Sequence, residues 1–368
     1  MGSSSSTSSS AKASSTAAAP ESKEKAISPS YGKKVKTVYL PAVEKELPDL
    51  AGKVFAITGT TSGTGYAMAK LLGSKGAQLI LLNRKSSRSE AAEKKLQEEV
   101  KDCKANFVEC DLQSFSSVRE AAEAVLKLTG ENGLDGLGLN AGIMACPDNA
   151  TGDGCDVQMQ TNHLSHFLLT SLLFPALSIA AEKRGDARIV SMTSLARKGK
   201  PLETKFYGKN GGNLGGDDNP TSMQKGPRWE RYHQSKLANC VFTYALHDRL
   251  EASSKLKGKI KAVVAHPGLS STNLQVRSQK QGKDSMPGWF GWVFGWMAMS
   301  PVDGSLGFVK GLAGKDTKSG EFIGPNRMGE LYGPPVLLTP EPYLKEENAK
   351  KALWEESEKT TGCKFEIA

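Results

Sequence analysis

A tyrosine and a lysine stand four residues apart in the segment Tyr232-His233-Gln234-Ser235-Lys236. On a helix, residues at this spacing lie on the same face, so the phenol and the ammonium can approach each other. A nearby ammonium favours the phenolate, and we therefore expect the pKa of Tyr232 to lie below its usual value of about 10. A tyrosine of this kind donates or accepts a proton near neutral pH. A serine, Ser194, precedes the pair by 38 residues, at the end of an apolar run.

A glycine-rich turn links the apolar run Val54–Thr58 to a helical pattern that begins near Gly65. In such a turn Gly59 allows a sharp change of direction, Gly63 lets the backbone approach phosphate groups, and Gly65 lets the helix lie close to the strand. The N–H groups at the start of the helix are available to an anion. We predict a dinucleotide-binding turn in which the residues nearest the cofactor are Gly59, Thr61, Ser62, Gly63, Thr64 and Gly65.

The end of the second apolar run distinguishes between the two nicotinamide dinucleotides. An acidic residue there would bind the ribose 2′-hydroxyl of NAD. This chain has Asn83 at that place, followed by the cations Arg84 and Lys85. Because cations suit a 2′-phosphate, the sequence predicts NADP(H) as the cofactor, with Arg84 as a phosphate ligand.

Short apolar runs alternate with helical patterns from residue 53 onward. This alternation is typical of βαβ units, and it predicts an α/β fold with one Rossmann-type, doubly wound parallel sheet and helices on both faces. The apolar runs are Val54–Thr58, Gln78–Leu82, Phe107–Cys110, Leu134–Asn140, Arg188–Ser194 and Ile260–His266, and the helical patterns cover residues 65–75, 87–101, 115–129, 155–181 and 232–253.

The chain divides into three predicted parts. Residues 1–40 are rich in Ser and Ala with few bulky apolar side chains, so we expect a disordered tail. Residues 41–330 are predicted to form the Rossmann-fold domain, with a polar insertion at 195–231 and a lid at 275–300. In the lid, three tryptophans follow a helical spacing: Trp289, Trp292 and Trp296. Residues 331–368 are expected to form a C-terminal extension.

Composition argues against several functions. The net charge of the 368 residues is +9, and the first 40 residues supply +4 of it through six lysines and two glutamates. The remainder is mildly basic without a concentrated basic stripe, so we expect no nucleic-acid partner. The six cysteines have no metal-ligand spacing, which predicts reduced thiols and no metal site.

The chain shows no apolar secretory segment near its start. Its longest apolar stretch, Leu164–Ala181, contains His166 and Pro175, and we interpret it as a buried domain helix and not as a membrane span. The Ser/Ala-rich start suits either an organelle transit peptide or a flexible cytosolic tail. We therefore expect a cytoplasmic or plastid location.

Seven ordered signals over about residues 53–325 resemble the short-chain dehydrogenase/reductase family. Several phrases look like its retinol dehydrogenase branch, which also holds WW-domain oxidoreductases, a chloroplast-envelope translocon member and, more distantly, protochlorophyllide reductase. Leu269 stands where that photoenzyme has a cysteine, which counts against photoreduction. The seven signals are Thr58–Gly65, Asp111-Leu112, Asn140-Ala141-Gly142, Asn162, Ser194, Tyr232 with Lys236, and Pro267-Gly268 with Thr272.

The resemblance implies roles for these residues. Tyr232 would be the general acid in carbonyl reduction and the base in alcohol oxidation, while Lys236 would lower its pKa and bind the nicotinamide ribose. Ser194 would hold the substrate oxygen, and Asn162 would help to carry the proton through a water. The resemblance also implies cofactor contacts at Asp111, Leu112, Asn140, Pro267, Gly268 and Thr272.

The predicted activity is hydride transfer between NADP(H) and the carbonyl or alcohol group of a bulky lipophilic substrate, because the Trp-rich segment lies where the family has its substrate lid. Alternatively, the tryptophans are ordinary packing or, helped by nearby cations, a peripheral membrane contact. The alternative function is an NADP(H)-binding redox sensor or scaffold with little turnover, although intact Ser194, Tyr232 and Lys236 argue against it. A sugar-nucleotide epimerase would need a larger C-terminal domain. The apolar helix after Asn162 could form a homodimer.

Overall fold

The computed structural model describes residues 35–215, 225–270 and 298–367. Its strands are β1 Val54–Thr58, β2 Gln78–Asn83, β3 Lys104–Glu109, β4 Gly136–Leu139, β5 Ala187–Met192, β6 Ile260–Ala265, β7 Phe322–Arg327 and β8 Tyr332–Leu337. Its helices are α1 Leu40–Glu46, α2 Gly63–Ser74, α3 Ser87–Glu99, α4 Phe115–Thr129, α5 Val157–Arg184, α6 Pro227–Ala252, α7 Pro301–Ala313 and α8 Glu347–Thr361.

All eight strands form one sheet in the order β3-β2-β1-β4-β5-β6-β7-β8. The pairs from β3 to β7 are parallel, and β8 pairs antiparallel with β7 at the edge. The strand order reverses between β1 and β4, so the carboxyl ends of these two strands border the crevice in which such sheets bind ligands. The predicted fold class, a Rossmann-type doubly wound parallel sheet, is confirmed.

Residues of β1 alternate between two hydrophobic cores, which explains why the whole strand is apolar. Ala56 belongs to the core formed with α4, α5, α6 and α8. Phe55 and Ile57 belong to the opposite core, formed with α1, α2 and α7. The sheet is thus covered on both faces, and the strand ends are the places where polar side chains can gather.

The six predicted strands are present, with shifts at their ends. Two further strands, β7 and β8, were not predicted, because they contain Pro325, Pro334 and Pro335, and proline is unfavourable inside a sheet. The structure accommodates these prolines at the sheet edge and beside an irregularity in the β7–β8 register between Pro325 and Arg327.

The segment after residue 330 continues the same domain. Beyond β8, helix α8 covers α5 and α6 with a cluster of aromatic rings. The Trp354 ring lies 5.2 Å from Phe167 and 5.0 Å from Phe365, and Phe174 lies 5.3 Å from Phe365, centroid to centroid. This cluster covers part of the apolar helix after Asn162, which the sequence suggests as a contact with a second subunit; a homodimer stays a prediction.

Helix α5 is also long and apolar enough, by length and composition, to cross a membrane, but 72% of its most apolar window is buried inside the fold. It forms a layer over the sheet, in agreement with the interpretation of Leu164–Ala181 as a domain helix. Residues 1–34, the three tryptophans of the predicted lid and residues 216–224 of the predicted insertion lie outside the described residues.

Replacing Trp354 should show how much the C-terminal helix stabilises the domain. Trp354→Ala removes a side chain that is 4% exposed and in contact with three other rings, so we expect a loss of about 3–5 kcal/mol of unfolding free energy. Lys351→Ala on the exposed face of α8 is the matched control, with a loss below about 0.5 kcal/mol. Denaturant unfolding of both variants measures this, and equal midpoints would contradict a core role for α8.

Candidate active site

The turn between β1 and α2 has the conformation that its glycines allow. Gly59 and Gly63 have φ values of +75° and +61°, in the left-handed region that favours glycine. Gly65 has no room for a side chain, because a Cβ there would lie 2.1 Å from the Gly59 carbonyl oxygen. The turn therefore directs the first turn of α2 toward the crevice, as a phosphate-binding turn requires.

Asn140, directly after β4, holds this turn against β1. Its Nδ2 donates to the carbonyl oxygens of Thr58 at 2.8 Å and Gly59 at 3.2 Å. Its Oδ1 accepts a hydrogen bond from the Thr64 hydroxyl at 3.2 Å, and its backbone N–H donates to the Thr58 hydroxyl at 3.0 Å. Asn140 thus joins the ends of two strands and the start of α2.

Asn83, at the end of β2, is turned inward. Its Oδ1 accepts from the Thr60 backbone N–H at 2.7 Å, and its Nδ2 donates to the Thr60 hydroxyl at 2.8 Å. Two guanidinium groups, Arg84 and Arg88, line the same end of the cavity, and Arg88 donates to the Thr61 hydroxyl at 3.2 Å. Lys85, which the sequence paired with Arg84, does not line the cavity. Arg88 takes that place.

The crevice is a cavity of about 330 Å³ that runs from these arginines to Tyr232. It brings together most of the predicted cofactor and catalytic residues from seven separate segments of the chain. Those on its wall are Gly59, Thr61, Ser62, Gly63, Thr64, Arg84, Asp111, Leu112, Asn140, Ser194, Tyr232, Lys236, Pro267 and Gly268. Gly65 lies behind the turn, and Thr272 lies outside the described residues.

Tyr232 and Lys236 lie one turn apart on α6 and face the cavity. The Lys236 ammonium is 5.9 Å from the Tyr232 ring centroid, and it donates to the Met192 carbonyl oxygen at 3.3 Å. Asn239 donates to the same carbonyl at 2.9 Å, and the Thr193 hydroxyl donates to the Lys236 carbonyl at 2.8 Å. These bonds fix α6 against the end of β5.

Burial outweighs the expected effect of Lys236 on Tyr232. Both side chains are almost fully buried, and burial disfavours the charged form of each. Burial raises the pKa of Tyr232 to about 12, against a smaller lowering by its hydrogen bond with Ser194. Burial also lowers the pKa of Lys236 to about 8. The expectation of a Tyr232 pKa below 10 is therefore wrong for this arrangement, and the tyrosine is a protonated acid at neutral pH.

Ser194 follows β5 and begins a single helical turn, Leu195–Arg197. Its hydroxyl accepts from the Ala196 backbone N–H at 3.2 Å. The predicted strand included Ser194, whereas the structure ends the strand at Met192. Thr193 and Ser194 continue beyond the strand end, and this places the Ser194 hydroxyl next to Tyr232.

Asn162 lies in a π-helical turn, Gln160–Leu164, inside α5. Such turns are frequent at functional sites because they redirect a side chain out of the regular helix. The Asn162 amide bonds to both backbone groups of Ile143, at 2.8 and 2.9 Å, and to the Ser235 hydroxyl at 2.8 Å. The side chain thus fixes the loop after β4 to α6, while its predicted part in a proton relay stays a prediction.

The loop after β3 and the loop after β6 complete the cavity. The Asp111 carboxylate accepts from the Gln113 backbone N–H at 3.0 Å, which holds this loop in a tight turn with Leu112 on the wall. At the other end, Gly268 has φ +61° and donates its N–H to His266 Nδ1 at 3.1 Å.

Several residues of the cavity wall are not predicted by the sequence. Arg88 lies within the helical pattern of α3, where a charged residue is ordinary, and only its place in the first turn of that helix gave a signal. Apolar residues near Tyr232 could not be assigned to the site without its geometry. They are Ile143, Met144 and Met192 on the cavity wall, and Ala145, Trp229 and Ala196 packed with Tyr232.

All six cysteines are free thiols, and within residues 35–215, 225–270 and 298–367 no group of three or more His, Cys, Asp or Glu side chains is placed to hold a metal ion. Tyr232 and Lys236, with the Ser194 hydroxyl beside them, lie on the cavity wall away from the two arginines.

A phosphate-binding turn, a crevice at the sheet reversal and an adjacent Tyr–Lys–Ser set define a dinucleotide-dependent oxidoreductase. A short chain dehydrogenase model matches residues 53–209. Retinol dehydrogenase 13 of Homo sapiens is 30% identical over 318 residues, which are 85% of this chain and 86% of that protein. The chain belongs to the short-chain dehydrogenase/reductase family, whose members use a nicotinamide cofactor.

Two further comparisons agree with this assignment. An uncharacterised oxidoreductase of Schizosaccharomyces pombe is 38% identical over 231 residues, which span 62% of this chain and 63% of that protein. The crystal structure of an uncharacterised protein from Mycobacterium paratuberculosis has a TM-score of 0.65 and 30% identity, and the match covers 90% of this chain and all of that one. The resemblance predicted from the sequence, including its retinol dehydrogenase branch, is confirmed.

A small substitution at Gly142 should test how tightly Lys236 is held. A Cβ at Gly142 would lie 3.0 Å from Asn162 Oδ1 and 3.2 Å from Lys236 Nζ. We expect Gly142→Ala to displace Lys236 and lower kcat at least ~10-fold, because small misplacements of catalytic groups are costly. Gly152→Ala, with nothing within 4 Å of the added carbon, is the control and should keep the wild-type kcat. Equal rates for the two variants would show that Lys236 tolerates the contact.

Proposed function

We propose that this protein is an NADP(H)-dependent dehydrogenase/reductase that interconverts a carbonyl and an alcohol on a bulky lipophilic substrate. One observation carries the proposal: Tyr232, Lys236 and Ser194 lie on one end of a cavity whose other end is the glycine turn with Arg84 and Arg88. A hydride carrier and an acid–base pair are thereby offered to the carbon and the oxygen of one carbonyl group.

The residues of the turn suit a dinucleotide of either kind, and the residues beyond it favour the phosphorylated one. Both the oxygen and the nitrogen of the Asn83 amide bond to Thr60. Asn83 also has no carboxylate with which to bind a ribose 2′-hydroxyl. Arg84 and Arg88 provide two cations at that place. Guanidinium groups bind phosphate through paired, charge-assisted hydrogen bonds, which supports NADP(H) over NAD(H).

Proton transfer falls to Tyr232. The bound nicotinamide would supply or accept the hydride. In the reductive direction, the protonated Tyr232 phenol donates its proton to the carbonyl oxygen while the Ser194 hydroxyl holds that oxygen. A pKa of about 12 keeps the phenol protonated at neutral pH, which suits reduction. Reduction leaves a phenolate, which a protonated Lys236 stabilises. In the oxidative direction this phenolate oxygen accepts the alcohol proton and becomes a phenol again.

The lipophilic part of the proposal rests on the side chains around the reacting end. Trp229 lies edge-on to Tyr232, with ring centroids 5.9 Å apart, and Ala145, Met144 and Ala196 pack against these rings. An apolar wall at this place favours a substrate that buries hydrocarbon next to its carbonyl. The Trp-rich segment, and any membrane contact made through it, lies outside the described residues.

Turnover by wild type and Tyr232→Phe tests the proposed activity. We expect NADPH-dependent reduction of apolar carbonyls, faster than that of small polar carbonyls, and a kcat at least ~100-fold lower in Tyr232→Phe, since the ring is kept and the proton donor is lost. The variant should bind NADPH with unchanged affinity. Tight NADPH binding by the wild type with no turnover on a broad carbonyl panel would favour the redox-sensing or scaffold function, and preference for small polar carbonyls would contradict the lipophilic substrate.

Cofactor preference has its own test at the two arginines. Removing a charge-assisted contact is worth about 1.5–3 kcal/mol, so Arg84→Ala and Arg88→Ala should each raise the Kd for NADPH ~10-fold or more and leave the Kd for NADH nearly unchanged. Lys85→Ala, an exposed cation next to Arg84 that does not line the cavity, is the matched control. Equal losses for NADPH and NADH would mean that the arginines do not bind the 2′-phosphate.

A further inference from the structure

A partly buried ionic cluster lies behind the reacting end of the cavity, and it is formed by Arg197, Lys198, His266, Glu330 and Glu341. Arg197 is fully buried. Its Nη2 donates to Glu330 at 2.7 Å and to Glu341 at 2.8 Å, and its Nε donates to the second oxygen of Glu341 at 3.1 Å. Lys198 donates to Glu330 at 2.8 Å, so two cations face two carboxylates.

One side of the cluster holds the catalytic serine. Arg197 ends the helical turn that Ser194 begins, and its backbone N–H donates to the Ser194 carbonyl at 3.0 Å. The guanidinium lies over the Phe322 ring at 4.5 Å and contacts the same Ser194 carbonyl at 3.4 Å. The position of Ser194 therefore depends on the carboxylates that fix Arg197.

The other side of the cluster holds the loop that carries Pro267 and Gly268. His266 Nδ1 accepts from the Gly268 N–H at 3.1 Å, so its proton is on Nε2, which lies 3.2 Å from the Glu330 carboxylate. Burial lowers the pKa of His266, which keeps the imidazole neutral. The residue after Glu330 bonds to the same loop, since the Leu331 carbonyl accepts from the Leu269 N–H at 2.8 Å.

Glu330 has a backbone conformation that is unfavourable for a residue with a side chain. It has φ +69°, in a turn where Met328 and Gly329 also have positive φ. Glycine or asparagine would be less strained there. A glutamate is kept in this conformation only where its surroundings fix it, and the surroundings here are Arg197, Lys198 and His266.

We propose that Glu330 is a positioning residue that couples the serine loop to the cofactor loop, through Arg197 on one side and His266 on the other. This role rests on the proposed function, because it concerns the placement of a bound nicotinamide relative to Ser194. Glu341 bonds to the same guanidinium but has no contact with His266 among the described residues, and it provides a matched comparison.

Two substitutions of the same kind, each replacing a carboxylate by an amide of the same shape, separate the two sides of the cluster. Glu330→Gln should raise the Kd for NADPH at least ~5-fold and lower kcat at least ~10-fold, because both loops lose their common anchor. Glu341→Gln should lower kcat through Arg197 and leave the Kd for NADPH within about twofold of the wild type. NADPH fluorescence titration gives Kd, and steady-state kinetics gives kcat.

His266→Asn supplies the independent check. An asparagine oxygen can still accept from the Gly268 N–H, while the contact with Glu330 is lost. The single variant should raise the NADPH Kd as Glu330→Gln does, and the double variant should show no further increase, because the two changes break one link. If Glu330→Gln proves too unstable to purify, His266→Asn beside Glu341→Gln still decides the matter: a raised NADPH Kd in His266→Asn alone supports the coupling, and an unchanged Kd overturns it.

The results separate two failures. If the wild type binds NADPH and Glu330→Gln binds it equally well, or if Glu330→Gln and Glu341→Gln weaken it equally, the coupling role is wrong and the proposed function stands. Additive effects of the His266 and Glu330 changes would also overturn the coupling. If the wild type binds no nicotinamide dinucleotide, the proposed function fails and the coupling role fails with it.

Discussion

The hydrogen bonds from Asn140 to the carbonyls of Thr58 and Gly59 are the contacts on which the rest of the site depends. They join the ends of β1 and β4 where the strand order reverses, and they leave so little space that residue 65 has to be glycine. Carbonyl groups at the ends of buried strands need a partner in any case. Here one side chain satisfies them and closes the phosphate-binding turn at the same time, so the cofactor cavity follows from a requirement of the fold.

The predicted catalytic groups, Tyr232 and Lys236, are placed by a second set of strand-end contacts. The Met192 carbonyl accepts from both Lys236 and Asn239, which fixes α6 to the end of β5. The same packing buries Tyr232 and Lys236 so deeply that burial decides their protonation. A buried phenol keeps its proton and a buried amine gives its proton up more readily, so the packing of the domain sets the protonation of both groups.

Most of the fold was predictable from the sequence because its signals are local. Each of the six apolar runs and the glycine turn is shorter than ten residues. The strands and the turn lie where these patterns predict them, with small shifts at the strand ends. The sequence does not predict the last two strands, β7 and β8, because they contain prolines, and it does not single out Arg88, because a charged residue in a helix is ordinary. The pKa of Tyr232 was misjudged for a different reason. The spacing to Lys236 is local, but the burial that outweighs it comes from the whole domain.

Two buried arginines show how the chain combines a precise site with a long, polar insertion. Arg197 lies three residues into residues 195–231, and Arg231 is the last residue of this segment. Each is fully buried, and Arg231 donates to Asp156 at 2.9 Å and to the carbonyl of Cys146 at 3.2 Å. A buried ion pair costs more than apolar packing unless its partners are well placed, so its value here lies in fixing geometry. Buried ion pairs thus anchor both ends of the predicted insertion, one next to Ser194 and the other next to Tyr232.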